Sequence, residues 1–519
     1  MVSLGSRRIK MDKLHFFLVT HNILSESGGL TIAAFNQSKL FLDNGHKVTV
    51  TTFDYQPNYQ SIFQELTDMG RIYPSLEHLN KFEYYRNQNT LPDSKPTAAL
   101  YEEEANEDVA FFYDSDNKRY CFVDGTLKKV KTYSDARLTA VRYFEFGNQP
   151  YLEVNFNKQG FVDRKVWFNQ DGHPIQESFY TNDDFCYSTR HFKKKGVSGE
   201  FYLFNRKDEK VYAFKGAKAF DRHWLNELAA NNAANQTKPI FIAHGQNCGT
   251  KVAAINPDHA LRFFTIHSNH LEAPYTSGSH VQSKYKPVFE NRQSLDGLVV
   301  LTEKQKRDIL TDFPGEDNIY VIPNPLSVPE LYNEARNPLK VIMVTRLEKE
   351  KRLDEALHIF SLVVKQLPEA TLSIFGKGVE EENLLKLIKQ LKLENNVLLK
   401  GYSSNIPKEF QKASISMLTS DFEGLPLAGI ESLMNGTPIV SYNFNYGASD
   451  IIKNGITGYI IEDNDQQKMA EKIIYLLESP AVVAEMSKIS RESMMEKYTG
   501  DVVYSTWTNV LKSHVSIQV

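Results

Sequence analysis

Short apolar runs that alternate with helical patterns are the feature that most limits what this chain can fold into. In the last third, KVIMVT (340–345), TLSIF (371–375) and PIVSY (438–442) are rich in β-branched and aliphatic residues. Segments of helical periodicity, such as 353–366 and 382–391, lie between them. Strands that are separated by single helices form parallel sheets covered on both faces. The pattern therefore predicts an α/β domain here.

The same alternation opens the chain and returns near its middle. LHFFLVT (14–20) is typical of a strand, TIAAFNQSKLFLDNG (31–45) of an amphipathic helix closed by Gly45, and PIFIAHG (239–245) of a later strand. The Pro-bearing segment 323–338 separates the two halves and is typical of a hinge. A chain of 519 residues has room for about three domains of roughly 150 residues each.

A twelve-residue repeat occupies the region between the two parts of the first half. Turn sequences such as NKQG (157–160) and NQDG (169–172) follow aromatic residues at a constant offset. Strands of about eight residues joined by turns of about four describe an antiparallel meander of about six strands. The sheet could be a rigid packing domain, or a platform for self-association or for a polymer, since its edges and broad face need covering. The aromatic positions of the repeat are Phe144, Phe156, Phe168, Tyr180, Phe192 and Phe204.

These patterns predict a division into two Rossmann-like domains with an inserted antiparallel β-sheet domain in the N-terminal half. The acidic run 101–108 inside the insertion is typical of a solvated turn. The expected parts are an expression leader (1–10), an acceptor domain (11–60 plus 220–325), the β-meander insertion (61–219), a nucleotide-sugar domain (326–497) and a C-terminal helix that returns to the first domain (498–519).

Composition excludes several classes of protein. The formal charge of -4 and the pI of about 6.4 disfavour a nucleic-acid coat or a basic membrane-surface protein. Cys121, Cys186 and Cys248 are far apart and form no CxxC, so neither a disulfide framework nor a zinc site is indicated. No apolar run reaches the roughly 18 residues that a spanning helix needs. A reducing cytoplasm suits this composition best.

Two segments follow predicted strand ends with groups that suit phosphate. Gly28 and Gly29 lie at a strand-to-helix turn, where backbone N–H groups can approach a phosphate at the positive helix end. Arg346 and Lys351 follow the end of a buried strand, and two fixed cations there suit a diphosphate. The alternatives are a tight turn for the glycines and a solvated loop for the cations.

Two further segments carry polar groups at strand ends. Glu423 lies on the loop after strand 415–420, and Glu431 lies in the helix that begins near Leu427. Backbone N–H groups of the next residues, Ala428, Gly429 and Ile430, would be free donors at that helix start. His267 follows strand 260–266; alone, such a histidine is more often structural. The glutamates could equally be a surface pair, and no third ligand has the spacing to bind a metal with His267 and His270.

Together these motifs resemble the retaining glycosyltransferases of the two-Rossmann (GT-B) type, in the large GT4-like family with an E-x7-E motif. The resemblance covers the two α/β halves, about two thirds of the chain. The inserted β region is similar to that of bacterial wall-teichoic-acid α-glycosyltransferases, which decorate poly(glycerol phosphate) or poly(ribitol phosphate). Protein O-GlcNAc transferases that act on serine-rich adhesins carry an insertion of the same kind.

The resemblance implies a role for each candidate residue. Arg346 and Lys351 would neutralise the departing UDP diphosphate, and Glu431 would hold the ribose. Glu423 and His267 would contact the transferring sugar, with Asn324 lining the same cleft. The remaining implied contacts are the helix start at Leu427, Ala428 and Gly429, a uracil pocket shaped by Gly376, Gly401 and Tyr402, and Gly28 and Gly29 near the diphosphate or the acceptor.

The expected activity is transfer of glucose or N-acetylglucosamine from a UDP-sugar to a teichoic acid polymer, without a metal or other cofactor. The alternatives are a protein O-GlcNAc transferase that acts on serine-rich surface proteins, and a non-enzymatic scaffold. The resemblance also implies a homo-oligomer, with a trimer as one candidate, formed through the β insertion. The expected location is the cytoplasm, with at most peripheral association at the inner face of the membrane and no nucleic-acid partner.

Overall fold

The computed structural model of the chain describes residues 13–24, 29–91, 99–106, 111–145, 148–193, 197–233, 238–332, 335–403 and 405–514. Within these ranges the strands form two parallel sheets and one antiparallel sheet. Helices cover the parallel sheets, so the predicted fold class, two Rossmann-like domains with an antiparallel insertion, is confirmed. In the described ranges, no helix has both the length and the apolar character needed to cross a bilayer.

The first parallel sheet has seven strands in the order β17-β16-β15-β14-β1-β2-β3. Phe16 and Leu18 point into one core with the first helix, whereas Phe17 and Val19 point into the core on the other face. A strand buried on both faces reads as a continuous apolar run, which is why residues 14–20 were recognisable. The strands are β1 (His15–Val19), β2 (Lys47–Thr52), β3 (Glu77–Asn80), β14 (Ile240–His244), β15 (Leu261–Thr265), β16 (Gly297–Val300) and β17 (Ile319–Val321).

Helices of this first half connect its strands and bury their apolar faces against the sheet. They are α1 (Gly29–Asp43), α2 (Tyr59–Asp68), α3 (Lys81–Asn89), α5 (Ala217–Asn232), α6 (Gln246–Val252), α7 (Lys286–Glu290) and α8 (Glu303–Asp312). Because β3 pairs with β2, the first sheet continues beyond residue 60, where the sequence placed the start of the insertion. The division of the chain into domains stays a prediction.

The antiparallel sheet confirms the meander and contains ten strands rather than about six. Five of the repeated aromatic residues, Phe144 to Phe192, end strands, and hydrogen bonds such as Gly160 N–H to the Asn157 carbonyl (3.1 Å) close the turns. The strands are β4 (Phe111–Ser115), β5 (Lys118–Val123), β6 (Thr126–Ser134), β7 (Arg137–Phe144), β8 (Pro150–Phe156), β9 (Val162–Phe168), β10 (Pro174–Tyr180), β11 (Cys186–Phe192), β12 (Ser198–Asn205) and β13 (Lys210–Phe214).

The acidic run at 101–108 is not a solvated turn over its described residues. Residues Ala99–Asn106 form helix α4, and Glu104 is only 2% exposed. Its carboxylate accepts from Lys129 Nζ (2.8 Å) and lies 3.3 Å from Lys131 Nζ. Two lysines from one strand of the insertion compensate the buried charge, and a partner so remote in sequence could not be read from the run itself.

The second parallel sheet has six strands in the order β20-β19-β18-β21-β22-β23. Its strands are β18 (Asn337–Val344), β19 (Thr371–Phe375), β20 (Val397–Gly401), β21 (Ala413–Leu418), β22 (Ile439–Tyr442) and β23 (Gly458–Ile461). Its helices are α9 (Leu353–Gln366), α10 (Glu381–Gln390), α11 (Ile406–Lys412), α12 (Leu427–Met434), α13 (Ala448–Ile451), α14 (Gln466–Leu477) and α15 (Pro480–Tyr498).

The chain passes from the first half to the second near Leu326 and returns to the first half near Thr499, and these two crossings lie side by side. On the way out, Leu326 N–H donates to the Tyr498 carbonyl (2.9 Å) and forms a bridge with Thr499. On the way back, helix α16 (Gly500–Lys512) carries Trp507 into the core beneath the first sheet. The C-terminal helix therefore returns to the first half of the chain.

Candidate active site

A cleft of about 580 Å³ lies between the two parallel sheets. Its walls come from residues that follow strands of both sheets, because parallel strands present their carboxyl ends at one edge. The cleft brings together eight of the residues selected from sequence: Gly29, His267, Asn324, Arg346, Lys351, Glu423, Leu427 and Ala428. Gly28 lies outside the described residues.

Lys351 and Glu423 form an ion pair on the side of the cleft that belongs to the second parallel sheet. Lys351 Nζ is 2.5 Å from Glu423 Oε1, which also accepts from Ser420 Oγ at 2.9 Å. The two side chains are 12% and 20% exposed. Thr419 Oγ1 donates to the Lys351 carbonyl at 2.8 Å and thereby ties the loop after β18 to the end of β21. Both groups are therefore held in place by neighbouring strands.

Arg346 is more loosely held than Lys351. Its side chain is 57% exposed, and Nη2 pairs with Glu350 Oε1 at 2.7 Å. An exposed ion pair of this kind is worth about 1 kcal/mol or less. Because Glu350 also lines the cleft, an anionic ligand there would compete with Glu350 for the guanidinium group.

The start of helix α12 supplies fewer free backbone donors than expected. Gly429 and Ile430 N–H groups both donate to the Pro426 carbonyl, at 2.9 and 3.1 Å, so the expectation that they are free is wrong. Within the described structure, the N–H groups of Leu427 and Ala428 have no protein acceptor. Gly429 is buried, and a Cβ there would lie 2.7 Å from Ile451 Cδ1, so this glycine serves packing.

Glu431 lies in the same helix but not among the residues that line the cleft. Burial raises the pKa of its carboxyl group to about 7. Burial is the cause of this shift, with no contribution from a hydrogen bond or a neighbouring charge. A ligand hydroxyl could satisfy this group, and its charge changes near neutral pH.

Gly376, Gly401 and Tyr402 lie together at the ends of β19 and β20. Gly376 N–H donates to the Gly401 carbonyl at 2.8 Å, and a Cβ on Gly376 would lie 1.8 Å from the Thr345 carbonyl oxygen. Tyr402 is 66% exposed, and its hydroxyl accepts from Arg71 Nη2 at 2.6 Å. These three residues do not line the cleft, although Thr345 does; a uracil pocket here stays a prediction.

The two halves touch beside the cleft, where the predicted residue His267 meets Gly424, which was not predicted. A Cβ on Gly424 would lie 2.2 Å from the His267 carbonyl oxygen, so the two backbones are in close contact. Asn269 Nδ2 donates to the Asn445 carbonyl at 3.1 Å. Gly424 follows Glu423 directly. A glycine beside a candidate sugar-binding residue was the sequence signal that could have indicated a close backbone contact here.

His267 has a partner that sequence reasoning missed. Its Nε2 lies 2.8 Å from Nδ1 of His244, the last residue of β14, and Gln37 lies behind His244. Burial lowers the pKa of His267 to about 4, so its ring is neutral near pH 7. In the described ranges, no group of three or more His, Cys, Asp or Glu side chains could hold a metal; the absence of a metal requirement stays a prediction.

Known proteins with similar sequences and structures identify the class. The family Glycosyl transferases group 1 matches residues 330–493. Over 511 residues the chain is 28% identical to a poly(ribitol-phosphate) alpha-N-acetylglucosaminyltransferase of Staphylococcus aureus (strain COL), covering 96% of this chain and 99% of that protein. It is 26% identical to a poly(glycerol-phosphate) alpha-glucosyltransferase of Bacillus subtilis (strain 168), covering 98% of this chain and 76% of that protein.

Solved structures agree with these relatives. The crystal structure of an S. aureus TarM mutant in complex with fondaparinux, alpha-GlcNAc-glycerol and UDP has a TM-score of 0.85, with 27% identity over 96% of this chain and 99% of that chain. The fold and the cleft define a glycosyltransferase with two Rossmann-like domains. The second of its two α/β halves contains residues 330–493, the part that matches the family Glycosyl transferases group 1.

Proposed function

We propose that this enzyme transfers glucose or N-acetylglucosamine from a UDP-sugar to hydroxyl groups of a poly(glycerol phosphate) or poly(ribitol phosphate) wall teichoic acid, with retention at the anomeric carbon. One observation carries the proposal: similarity to two polyol-phosphate glycosyltransferases runs along 96% and 98% of the chain, including the inserted sheet. A shared α/β core alone would not extend through that insertion.

The chemistry requires stabilisation of a leaving diphosphate. When the sugar–phosphate bond breaks, negative charge grows on the phosphate oxygens, and preorganised cations and helix N-termini stabilise it. We assign this role to Lys351, to Arg346 after it leaves Glu350, and to the free N–H groups at the start of α12. These groups can act without a metal ion.

Other residues that line the cleft or lie beside it would position the donor. Glu423, already oriented by Lys351 and Ser420, would accept from sugar hydroxyls, and Glu431 would accept from the ribose. Asn324 and Gly29 line the cleft and would complete the contacts. We place the uracil near Gly376, Gly401 and Tyr402, next to the diphosphate groups.

The acceptor would enter past a basic rim on the first half. Lys284 and Lys286 are exposed and flank Tyr285, which lines the cleft. Partial burial lowers the pKa of Lys284, whereas the negative charge of Glu350 raises it. Because Glu350 lines the cleft from the second half, Lys284 lies within electrostatic reach of the opposite wall. A polyanion is attracted to such a local patch even though the whole chain is acidic.

The alternative acceptor is a serine-rich protein. The UDP-N-acetylglucosamine–peptide N-acetylglucosaminyltransferase GtfA subunit of Streptococcus gordonii is 26% identical but covers only 69% of this chain. Its shorter match makes this the weaker candidate. Incubation with labelled UDP-glucose and UDP-N-acetylglucosamine, against both teichoic polymers and a serine-rich peptide, tests the choice. Transfer to the peptide alone would refute the polymer proposal.

We also propose that the enzyme self-associates through the edge of its inserted sheet. Strand β4 pairs only with β5 among the described strands, and Phe111 and Tyr113 on it are 72% and 62% exposed. An exposed edge with large aromatics is suited to pairing with a second copy. The molar mass in sedimentation equilibrium should fall on Phe111→Lys plus Tyr113→Lys; an unchanged mass would contradict this interface.

We place the reaction in the cytoplasm, where UDP-sugars are available, with at most peripheral contact with the membrane. Cys121, Cys186 and Cys248 form no disulfide in the described structure, which suits a reducing compartment. Cell fractionation tests this location, and secretion of the active enzyme would contradict it.

A further inference from the structure

Three side chains form a buried chain of hydrogen bonds that ends at the cleft. Gln37 on α1 lies 2.9 Å from His244 through Oε1 and Nε2. His244 in turn lies 2.8 Å from His267 through Nδ1 and Nε2, and the two rings are stacked with centroids 5.1 Å apart. Gln37 and His244 are only 6% and 2% exposed, so water does not compete for these contacts.

Both rings are neutral near pH 7. Burial lowers the pKa of His267 to about 4, and it lowers the pKa of His244 well below the usual value, with further lowering from His267. A neutral imidazole has one N–H donor and one bare nitrogen that accepts. The hydrogen bond at one nitrogen therefore decides what the other can do.

The direction of each hydrogen bond follows from the Gln37 oxygen. With the amide oxygen of Gln37 facing His244, this oxygen only accepts, so His244 Nε2 carries the proton. His244 Nδ1 is then bare and accepts, which requires His267 Nε2 to be the donor. The remaining nitrogen, His267 Nδ1, is then bare, on a residue that lines the cleft.

We infer that Gln37 and His244 are positioning residues that hold His267 in one tautomer, with Nδ1 as a hydrogen-bond acceptor for a hydroxyl group of the transferring sugar. This inference rests on the proposed function for the identity of the ligand. A bare nitrogen accepts from an O–H group and repels phosphate oxygens. His267 therefore acts on the sugar and does not help to neutralise the diphosphate.

Two variants of nearly equal size separate hydrogen bonding from packing. His244→Asn retains a carbonyl oxygen that can accept from His267 Nε2, whereas His244→Leu does not. We expect kcat/KM for the leucine variant to fall by about 3- to 10-fold, the range for loss of one hydrogen bond. The asparagine variant should recover most of that loss. Equal losses in the two variants would overturn the inference in favour of a packing role.

Monodeoxy donors identify the sugar contact. Using the better of UDP-glucose and UDP-N-acetylglucosamine as parent, one deoxy analogue should be slow with the native enzyme. For the His244→Leu variant, the penalty for that analogue should shrink, because the contact is already weakened. Penalties that stay equal for every analogue would exclude a hydroxyl contact through His267.

Nitrogen-15 NMR of histidine-labelled enzyme gives a readout that does not require turnover. His267 should show a protonated Nε2 and a bare Nδ1, and Gln37→Leu should allow the other tautomer. A protonated Nδ1 in the native enzyme would overturn the inference. If neither UDP-sugar were turned over while the tautomer was as stated, the proposed function would fail and the hydrogen-bond chain would stand.

Discussion

The close contact at Gly424 makes a sharp test of whether the observed arrangement of the two halves is the one that catalyses transfer. In Gly424→Ala the new methyl group would lie 2.2 Å from the His267 carbonyl oxygen, 2.5 Å from its carbon and 2.7 Å from Ser268 N. All three neighbours are backbone atoms, so a side-chain rotation cannot relieve the contact. The halves would have to separate by about 1 Å to restore ordinary van der Waals distances.

A displacement of about 1 Å at a reacting centre can cost about 100-fold in rate. We therefore expect kcat/KM for Gly424→Ala to fall by roughly that factor. The thermal midpoint should change little, because Gly424 belongs to none of the six hydrophobic clusters of the described residues. UDP binding by calorimetry should also persist, since the cations Arg346 and Lys351 belong to the same half as Gly424.

Gly500→Ala is the matched control. It lies at the second chain crossing, where a new Cβ would be 3.5 Å from Leu40 Cδ1, an ordinary contact. Its activity should stay within about twofold of the native enzyme. If Gly424→Ala retained full activity, the contact between Gly424 and His267 would not belong to the arrangement of the two halves that catalyses transfer.

Three further predictions concern charge. Lys351→Ala should lower turnover by about 10²–10³-fold, whereas Lys349→Ala, in the same turn but outside the cleft, should not; equal activity of the two variants would remove Lys351 from the site. Burial raises the pKa of Glu431 to about 7, so the folded protein holds a proton on this carboxyl group at pH values where the unfolded chain has lost it. The contribution of Glu431 to the free energy of unfolding therefore falls as the pH rises from about 4.5 to about 7. Nucleotide affinity should rise over the upper part of that range, because the ionised carboxylate is the better acceptor for a ribose hydroxyl. In Glu431→Gln, both the stability measured by unfolding and the nucleotide affinity measured by calorimetry should depend less on pH. Lys284→Glu should raise KM for the polymer and weaken its salt dependence while UDP-sugar hydrolysis stays unchanged; a polymer KM equal to that of the native enzyme would exclude the proposed basic rim.

The fold was predictable because its signals are local. Strands such as Phe16–Val19 are buried on both faces and therefore read as apolar runs. The aromatic repeat from Phe144 to Phe192 was legible because each repeat unit ends one strand. The strand count was too low because β4, β5 and β6 precede the regular repeat and β13 follows it.

The candidate site was predictable only where residues follow strand ends directly. Lys351 and Glu423 belong to loops after neighbouring strands, so topology alone brings them together. Gln37 could not be found in this way, since its role depends on a helix face that turns toward His244. The contact between Gly424 and His267 depends on how the two halves meet, which no local pattern encodes.

The double passage of the polypeptide at Leu326 and Thr499 limits how substrates can enter and leave. Because two adjacent segments connect the two halves, the halves cannot rotate freely against each other. Bending about the line through the two crossings is then the easiest relative motion. The gap must then widen most on the side remote from that line, so a long polymer can thread sideways into the opening without its end being captured first. If helix α16 detached and Trp507 left the core beneath the first sheet, the second connection would no longer restrain the relative motion of the two halves.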